Sequence, residues 1–313
     1  SSGVYEMGSS FKVFSTAAYL EKEDPDLNMV FKTTQPIRRG RFTITDYHPE
    51  NHDMTIPEIF MHSSNIGAAL MGEAVGTADL KKFYERLGFF GPLDTDLMTT
   101  AKPLVPKPWG PLTTLTASYG HGIAVTPLHL AEGMLKVLTH KPAGLEFVLD
   151  DGSRPSDHGD NVVGEKTSDL TRRLMRLTVR TGTGGKADVP GFLVGGKTAT
   201  AEKTGVGGYK KSSLLSSFVG VYPADKPKTL VIVMIDEPKG QKDSYGFATA
   251  GWTAAPAVGK IISRITALRH ELPRDPERTY DPSDQLMRYI PEELRVDAAS
   301  LADKDKGLKL DDH

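Results

Sequence analysis

Between residues 192 and 236 the chain runs through three apolar stretches, "FLVGGKTAT", "LLSSFVGVYP" and "TLVIVMIDE", joined by short polar or Gly-rich segments. Runs of this length and composition read as consecutive strands. "TAAPAVGKIISRITAL" follows them as a helix. Three strands in succession, closed by a helix and preceded by a long helical region, predict a mixed α/β (α+β) fold in which an antiparallel sheet packs between helices.

The helical region opens almost at once. "SSFKVFSTAAYL", Ser9 to Leu20, is apolar nearly all round, the profile of a buried helix. "PEIFMHSSNIGAALMGEAVG" reads as helix interrupted by the polar Ser63-Ser64-Asn65, with Pro57 at a first helical position. "TADLKKFYERLG" has Thr77 as N-cap and Gly88 as terminator, and "TPLHLAEGMLKVLT" has Thr126 as cap. "SDLTRRLMRLTVRT" places Leu170, Leu174 and Leu177 at helical spacing. Residues 21 to 56 read as loop with a short hairpin at "GRFTITDY", and residues 91 to 115 as Pro/Thr-rich loop. Of the last 43 residues 19 are charged, so the segment 269–313 is expected as a tail, disordered or lying on the surface.

A net charge of −2 offers no basic field for nucleic acid. Cysteine is absent, which removes disulfides and thiolate metal sites. The longest aliphatic run, Leu230 to Ile235, is far below the ~20 residues that span a bilayer.

Lys12 is the single charge in the apolar helix, three residues after Ser9. On a helix that spacing shares a face. Burial favours the neutral amine of a lysine, which can then take a proton from a serine hydroxyl and make it nucleophilic. Ser63-Ser64-Asn65 is S-x-N in a helical break, and Lys197-Thr198-Ala199-Thr200 begins a strand. Each pattern alone is weak. The three in this order and these settings form the set of serine acyl-enzymes that react with penicillin.

Residues 191–198 also fit the letters of a phosphate loop, G-x-x-x-x-G-K-[ST], and Asp236-Glu237 ends a strand as a Mg2+-holding motif would. A phosphate loop needs a strand before it and a helix beginning at its Lys-Thr. Pro190 precedes the first Gly, and three glycines lie between 198 and 208, so the context fails. "DYHPENHD" gathers Asp46, His48, Glu50, His52 and Asp53; a metal site is the sharp reading and a loop the bland one, since Pro49 breaks the helical His spacing of zinc hydrolases.

With these residues in place, the chain resembles the transpeptidase domain of class B penicillin-binding proteins, of the division-specific septal type and proteobacterial in character. The resemblance spans about residues 3 to 266 and includes "GVYEMGSSFK", "TASYGHGIAVTPLHLA" and "RTGTGGKADVPGFLVGGKTATAEK". It implies the penicillin-binding-protein/serine β-lactamase-like fold with a helical subdomain, a transpeptidase domain over 1–268, and a site without metal or cofactor. It further implies Ser9 as nucleophile, Lys12 as base, Ser63 as proton relay, and Asn65 as holder of the substrate amide and support for Lys12. Lys197 would supply positive potential near Ser63 and the substrate carboxylate, Thr198 and Thr200 would hydrogen-bond that carboxylate, and the backbone N–H groups of Ser9 and Thr200 would form the oxyanion hole.

The implied partners are donor and acceptor peptidoglycan stem peptides, β-lactam antibiotics and other proteins of the division complex. The implied location is the periplasmic face of the inner membrane, with an anchor and the first strands of the sheet expected upstream of this chain. Ala199 stands where the family usually has Gly, and is expected to tune the site. Tyr119 is a candidate cleft residue, with a core role as the alternative. Trp109 and Trp252 are expected to pack. A β-lactamase or D,D-carboxypeptidase of the same fold, and a non-catalytic β-lactam sensor or scaffold, are the competing functions.

Overall fold

The computed structural model describes residues 3–93, 95, 99–141, 145, 160–205, 208–275 and 280–295. A 3-10 turn at Gly8–Ser10 leads into α1 (Phe11–Glu23), whose residues stay buried from Phe11 to Leu20. Its apolar surface is covered all round: the Phe11 ring meets Phe14, Tyr84 and Phe89 with centroids 5.4, 5.6 and 5.2 Å away. Asp24 in the left-handed region ends the helix.

Two small antiparallel pairs follow: β1 (Val30–Phe31) with β4 (Met54–Thr55), and the expected hairpin, β2 (Ile37–Arg39) with β3 (Phe42–Ile44). α2 (Ile56–His62) starts from a capping box in which Thr55 and Glu58 satisfy each other's end groups. It ends at Ser63, whose φ of 62° is left-handed. α3 (Asn65–Val75) restarts at once, with Ser64 Oγ accepting from Gly67 N. The polar interruption seen in the sequence is therefore a two-residue break between helices.

α4 (Thr77–Arg86) begins one residue earlier than its sequence suggests, with Gly76 as N-cap and Thr77 already helical. α5 (Pro111–Ala117) lies where a loop was expected. Its Pro-rich approach hides it, yet Pro111 suits a first helical turn. α6 (Pro127–Thr139), capped by Thr126, and α7 (Glu165–Thr181) complete the helical body.

The sheet is antiparallel in the order β5 (Gly195–Gly205), β6 (Gly208–Tyr222), β7 (Thr229–Asp236). Side-chain alternation divides it between two cores. Val219 and Val221 enter the main helical core, whereas Phe218 and Tyr222 join Val258 and Ile262 of α8 (Ala254–Leu268). At Gly220 a Cβ would come within 2.5 Å of the Val258 side chain, so glycine is what lets α8 lie this close. The sheet is thus sandwiched between helices, as expected.

The charged tail departs from expectation over residues 280–295. Leu286 and Ile290 are buried in the main core. Asp281 pairs with Arg176 at 2.8 Å, Asp284 with Arg180 at 2.5 Å, and the Tyr289 carbonyl accepts from Thr55 Oγ1 at 3.1 Å. Arg173, Arg176 and Arg180 lie at helical spacing along α7, so acidic composition here marks a docked segment, not a solvated one. Residues 276–279 and 296–313 of the tail lie outside the described residues.

Candidate active site

Three elements converge on Ser63. Lys12, in the first turn of α1, donates to the Ser63 carbonyl and lies 3.1 Å from Ser63 Oγ. Lys197, near the start of β5, donates to the same Oγ at 2.7 Å. Both lysines are almost fully buried. Ser9 sits one turn ahead of Lys12, half-buried, in the 3-10 turn that abuts β5. That turn is held by very close backbone contact: at Gly120, φ +82°, a Cβ would fall 2.1 Å from the Gly8 carbonyl oxygen. Any side chain there would push the nucleophile turn off the helical body.

The electrostatics follow from this crowding. Burial brings the Lys12 amine down to about 7, opposed by the negative charge of Asp46. Burial pushes Lys197 well below its ordinary value, and the charge of Lys12 adds to the effect. Burial also lowers His121, again with a contribution from Lys12. Both amines are thereby biased toward the neutral form beside a serine hydroxyl, and a neutral amine is the form that accepts a proton. A carboxylate arriving beside Lys197 would favour its charged form and restore the positive potential expected of it.

On β5, Thr198 and Thr200 point to the face opposite Lys197. The Thr198 hydroxyl lies 2.8 Å from that of Thr183, and Thr200 Oγ1 accepts from Ala250 N at 3.0 Å. Ala199 is buried and, by alternation, shares its face with Lys197 and Ala201. That is the face on which Gly8 lies, where an added Cβ would come within 3.3 Å of the Ala201 methyl. Its methyl therefore points toward the nucleophile turn and away from the two threonines.

Asn65 donates its side-chain amide to the Thr45 carbonyl at 2.9 Å, while the turn meets Lys12 through Ser63. Tyr119 does not join this constellation. It is 9% exposed within a cluster of Ile37, Ile44, Ile66 and Leu115, its ring 4.9 Å from that of His121, so its ring serves packing. Trp109 packs as expected, against Tyr84 and Phe90.

Three features escaped the sequence reading. Thr183 orients Thr198 from 15 residues away. Tyr245 and Phe247, about half exposed, flank Trp252 beyond the Ala250 contact to Thr200, and Lys186 Nζ lies 3.7 Å from the Trp252 ring centre. The aromatic letters of "SYGFATAGW" were the available signal. The third is the contact of Asp46, read in the sequence only as a candidate metal ligand, with the Ser64-Asn65-Ile66 turn.

Two competing readings fail on geometry. β5 is extended through Lys197-Thr198, where a phosphate loop needs a helix start, and Asp236 pairs with Lys203 at 2.9 Å. In the loop from Asp46 to Asp53 the acidic and histidine side chains turn to separate partners: Glu50 to His62, His52 to Glu58, Asp53 to Thr33 and Thr34. Among the described residues no group of three or more His, Cys, Asp or Glu could hold a metal ion.

Residues 1–261 match the family model described as the penicillin binding protein transpeptidase domain. A probable peptidoglycan D,D-transpeptidase FtsI of Caulobacter vibrioides is 40% identical over 84% of this chain and 46% of its own length. The peptidoglycan D,D-transpeptidase FtsI of Escherichia coli is 27% identical, over 84% and 44%. The chain spans about half the length of the curated relatives it matches. The apo transpeptidase domain of Burkholderia pseudomallei penicillin-binding protein 3 superposes with a TM-score of 0.78 at 26% identity, covering 88% of this chain and 82% of that one.

Proposed function

Because the chain belongs to the penicillin-binding protein transpeptidase family, we propose that it performs peptidoglycan D,D-transpeptidation during cell division, through an acyl-enzyme on Ser9. The observation that carries this reading is the Ser63 hydroxyl held between two buried lysine amines on separate elements, at 3.1 and 2.7 Å. Neither a scaffold nor a nucleotide site has use for two desolvated amines on one serine, and the burial is costly to maintain.

Ser9 Oγ adds to the penultimate D-Ala carbonyl of a stem peptide as its proton passes to the Lys12 amine. The developing oxyanion is received by the N–H groups of Ser9 and Thr200. Collapse breaks the peptide bond. Ser63 gives its proton to the departing D-Ala amine and is resupplied from Lys12. The amine of a second stem peptide then attacks the ester, forms the cross-link and returns the proton to Ser9 Oγ. Asn65 holds the substrate amide, Thr198 and Thr200 receive the terminal carboxylate, and Lys197 supplies positive potential from beside Ser63. β-Lactams enter the same first step and remain as slowly released esters.

By the same reading the parent protein works at the periplasmic face of the inner membrane beside other division proteins. Among the described residues no helix is long and apolar enough to cross a membrane. The test is covalent labelling with a fluorescent penicillin, in wild type and Ser9→Ala. Labelling should fall by at least about a thousandfold in the variant. Labelling that persists in Ser9→Ala, or is absent from the wild type, sinks the proposal; rapid turnover of the label points to a β-lactamase.

A further inference from the structure

Ser63 works only if its turn is held against Lys12, and that turn is intrinsically unfavourable. A non-glycine residue at φ 62° persists only where its surroundings over-determine it. What holds the turn from behind is the loop preceding α2. Asp46, 9% exposed, accepts from Ser64 Oγ at 2.6 Å, from Ile66 N at 3.0 Å and from Asn65 N. The adjacent Thr45 carbonyl takes the Asn65 side-chain amide. Further along, Glu50 pairs with His62 at 3.2 Å, and His52 with Glu58 at 2.8 Å, so the loop is clasped to α2 before the break as well as to the start of α3 after it.

We infer that Asp46 is a positioning residue for the proposed acyl transfer: its carboxylate fixes the Ser63-Ser64-Asn65 turn by hydrogen bonds and supplies a negative charge to Lys12. An ordinary helix cap would explain only the first half. Ser64 already caps α3 through Gly67 N, so Asp46 takes the two preceding amides and completes the helix start. The second half rests on the charges around Lys12. Lys197 faces it from β5 and His121 from the loop after α5, both able to carry positive charge, whereas Asp46 is a carboxylate whose charge favours the protonated Lys12. His62 also senses Asp46, in the same direction.

The inference rests on the acyl-transfer reading, and two substitutions separate its parts. Asp46→Asn keeps the shape and most hydrogen bonds but removes the charge. Lys12 then loses what favours its protonated form, so its neutral form persists to lower pH. The acid limb of the acylation rate by fluorescent penicillin, followed across neutral pH, should move acidward. Asp46→Glu keeps the charge and displaces the hydrogen bonds; its limb should stay in place while the plateau falls about ten- to a hundredfold.

An Asp46→Asn limb that coincides with wild type overturns the electrostatic role, and an Asp46→Glu plateau equal to wild type overturns the positioning role. Should Asp46→Asn lose its melting transition, the Asp46→Glu plateau and limb decide alone by the same criteria. Absence of Ser9-dependent labelling in the wild type is a different failure, that of the reading beneath.

Discussion

Lys12 is a cation placed where the helix otherwise buries carbon, and that placement costs stability. Its amine sits near 7 in the folded chain against an ordinary 10.5, so between those values the unfolded chain binds more protons. Stability therefore rises as pH climbs from about 7 toward 10.5, and the lysine costs most at and below 7. Lys12→Met keeps the length of the side chain and removes the charge. Against the lost hydrogen bonds to Ser63, a net gain of about 1–3 kcal/mol at neutral pH is expected in urea unfolding. Acylation should fall at least about a hundredfold in the same variant. A destabilised variant would mean that the bonds to Ser63 outweigh desolvation. At this scale Ser9, Lys12, Ser63 and Lys197 were legible because the chemistry demands those residue types in short fixed patterns. Asp46 and Thr183 were not, because their partners lie 18 and 15 residues away and nothing in a lone Asp or Thr announces them.

Among the elements, the break between α2 and α3 was readable because polar residues interrupt an apolar period, and the strands because three runs follow in succession. α5 and the docked tail were not. Both are short, and both depend on surfaces supplied by other elements more than on their own propensity. In the tail the anchors are Leu286 and Ile290, and the acidic residues between Asp281 and Asp284 find α7 arginines. Arg176 is tied to Asp188 and to the Val194 carbonyl as well, so the segment joins α7, the approach to β5 and the N-cap of α2. Leu286→Ala is expected to cost about 2–4 kcal/mol in thermal or urea unfolding, the range for a buried leucine. A loss below about 0.5 kcal/mol, the level of an exposed position, would show the tail to be a passive covering.

At the scale of the whole molecule, the sheet separates two cores, and Lys12, Ser63 and Lys197 meet where β5 joins the helical body. No single segment contains the site: positions 9, 63 and 197 come together only when α1, the helix break and β5 are docked. The sequence order of three motifs was enough to name the fold, because each motif sits at a structurally obligatory point. The sharing of one serine oxygen by two desolvated amines carries a further consequence. An incoming anion alters more than the local potential; it makes the protein draw protons from its surroundings. Benzylpenicillin binding to the Ser9→Ala chain, where no ester forms, should show a calorimetric heat that changes from buffer to buffer in proportion to each buffer's heat of ionisation. The expected uptake is positive and below one proton per site near neutral pH, and a heat independent of buffer would mean that Lys197 is already charged before the ligand arrives. Proton uptake on binding would make the site a small proton sponge, loaded by the ligand it receives.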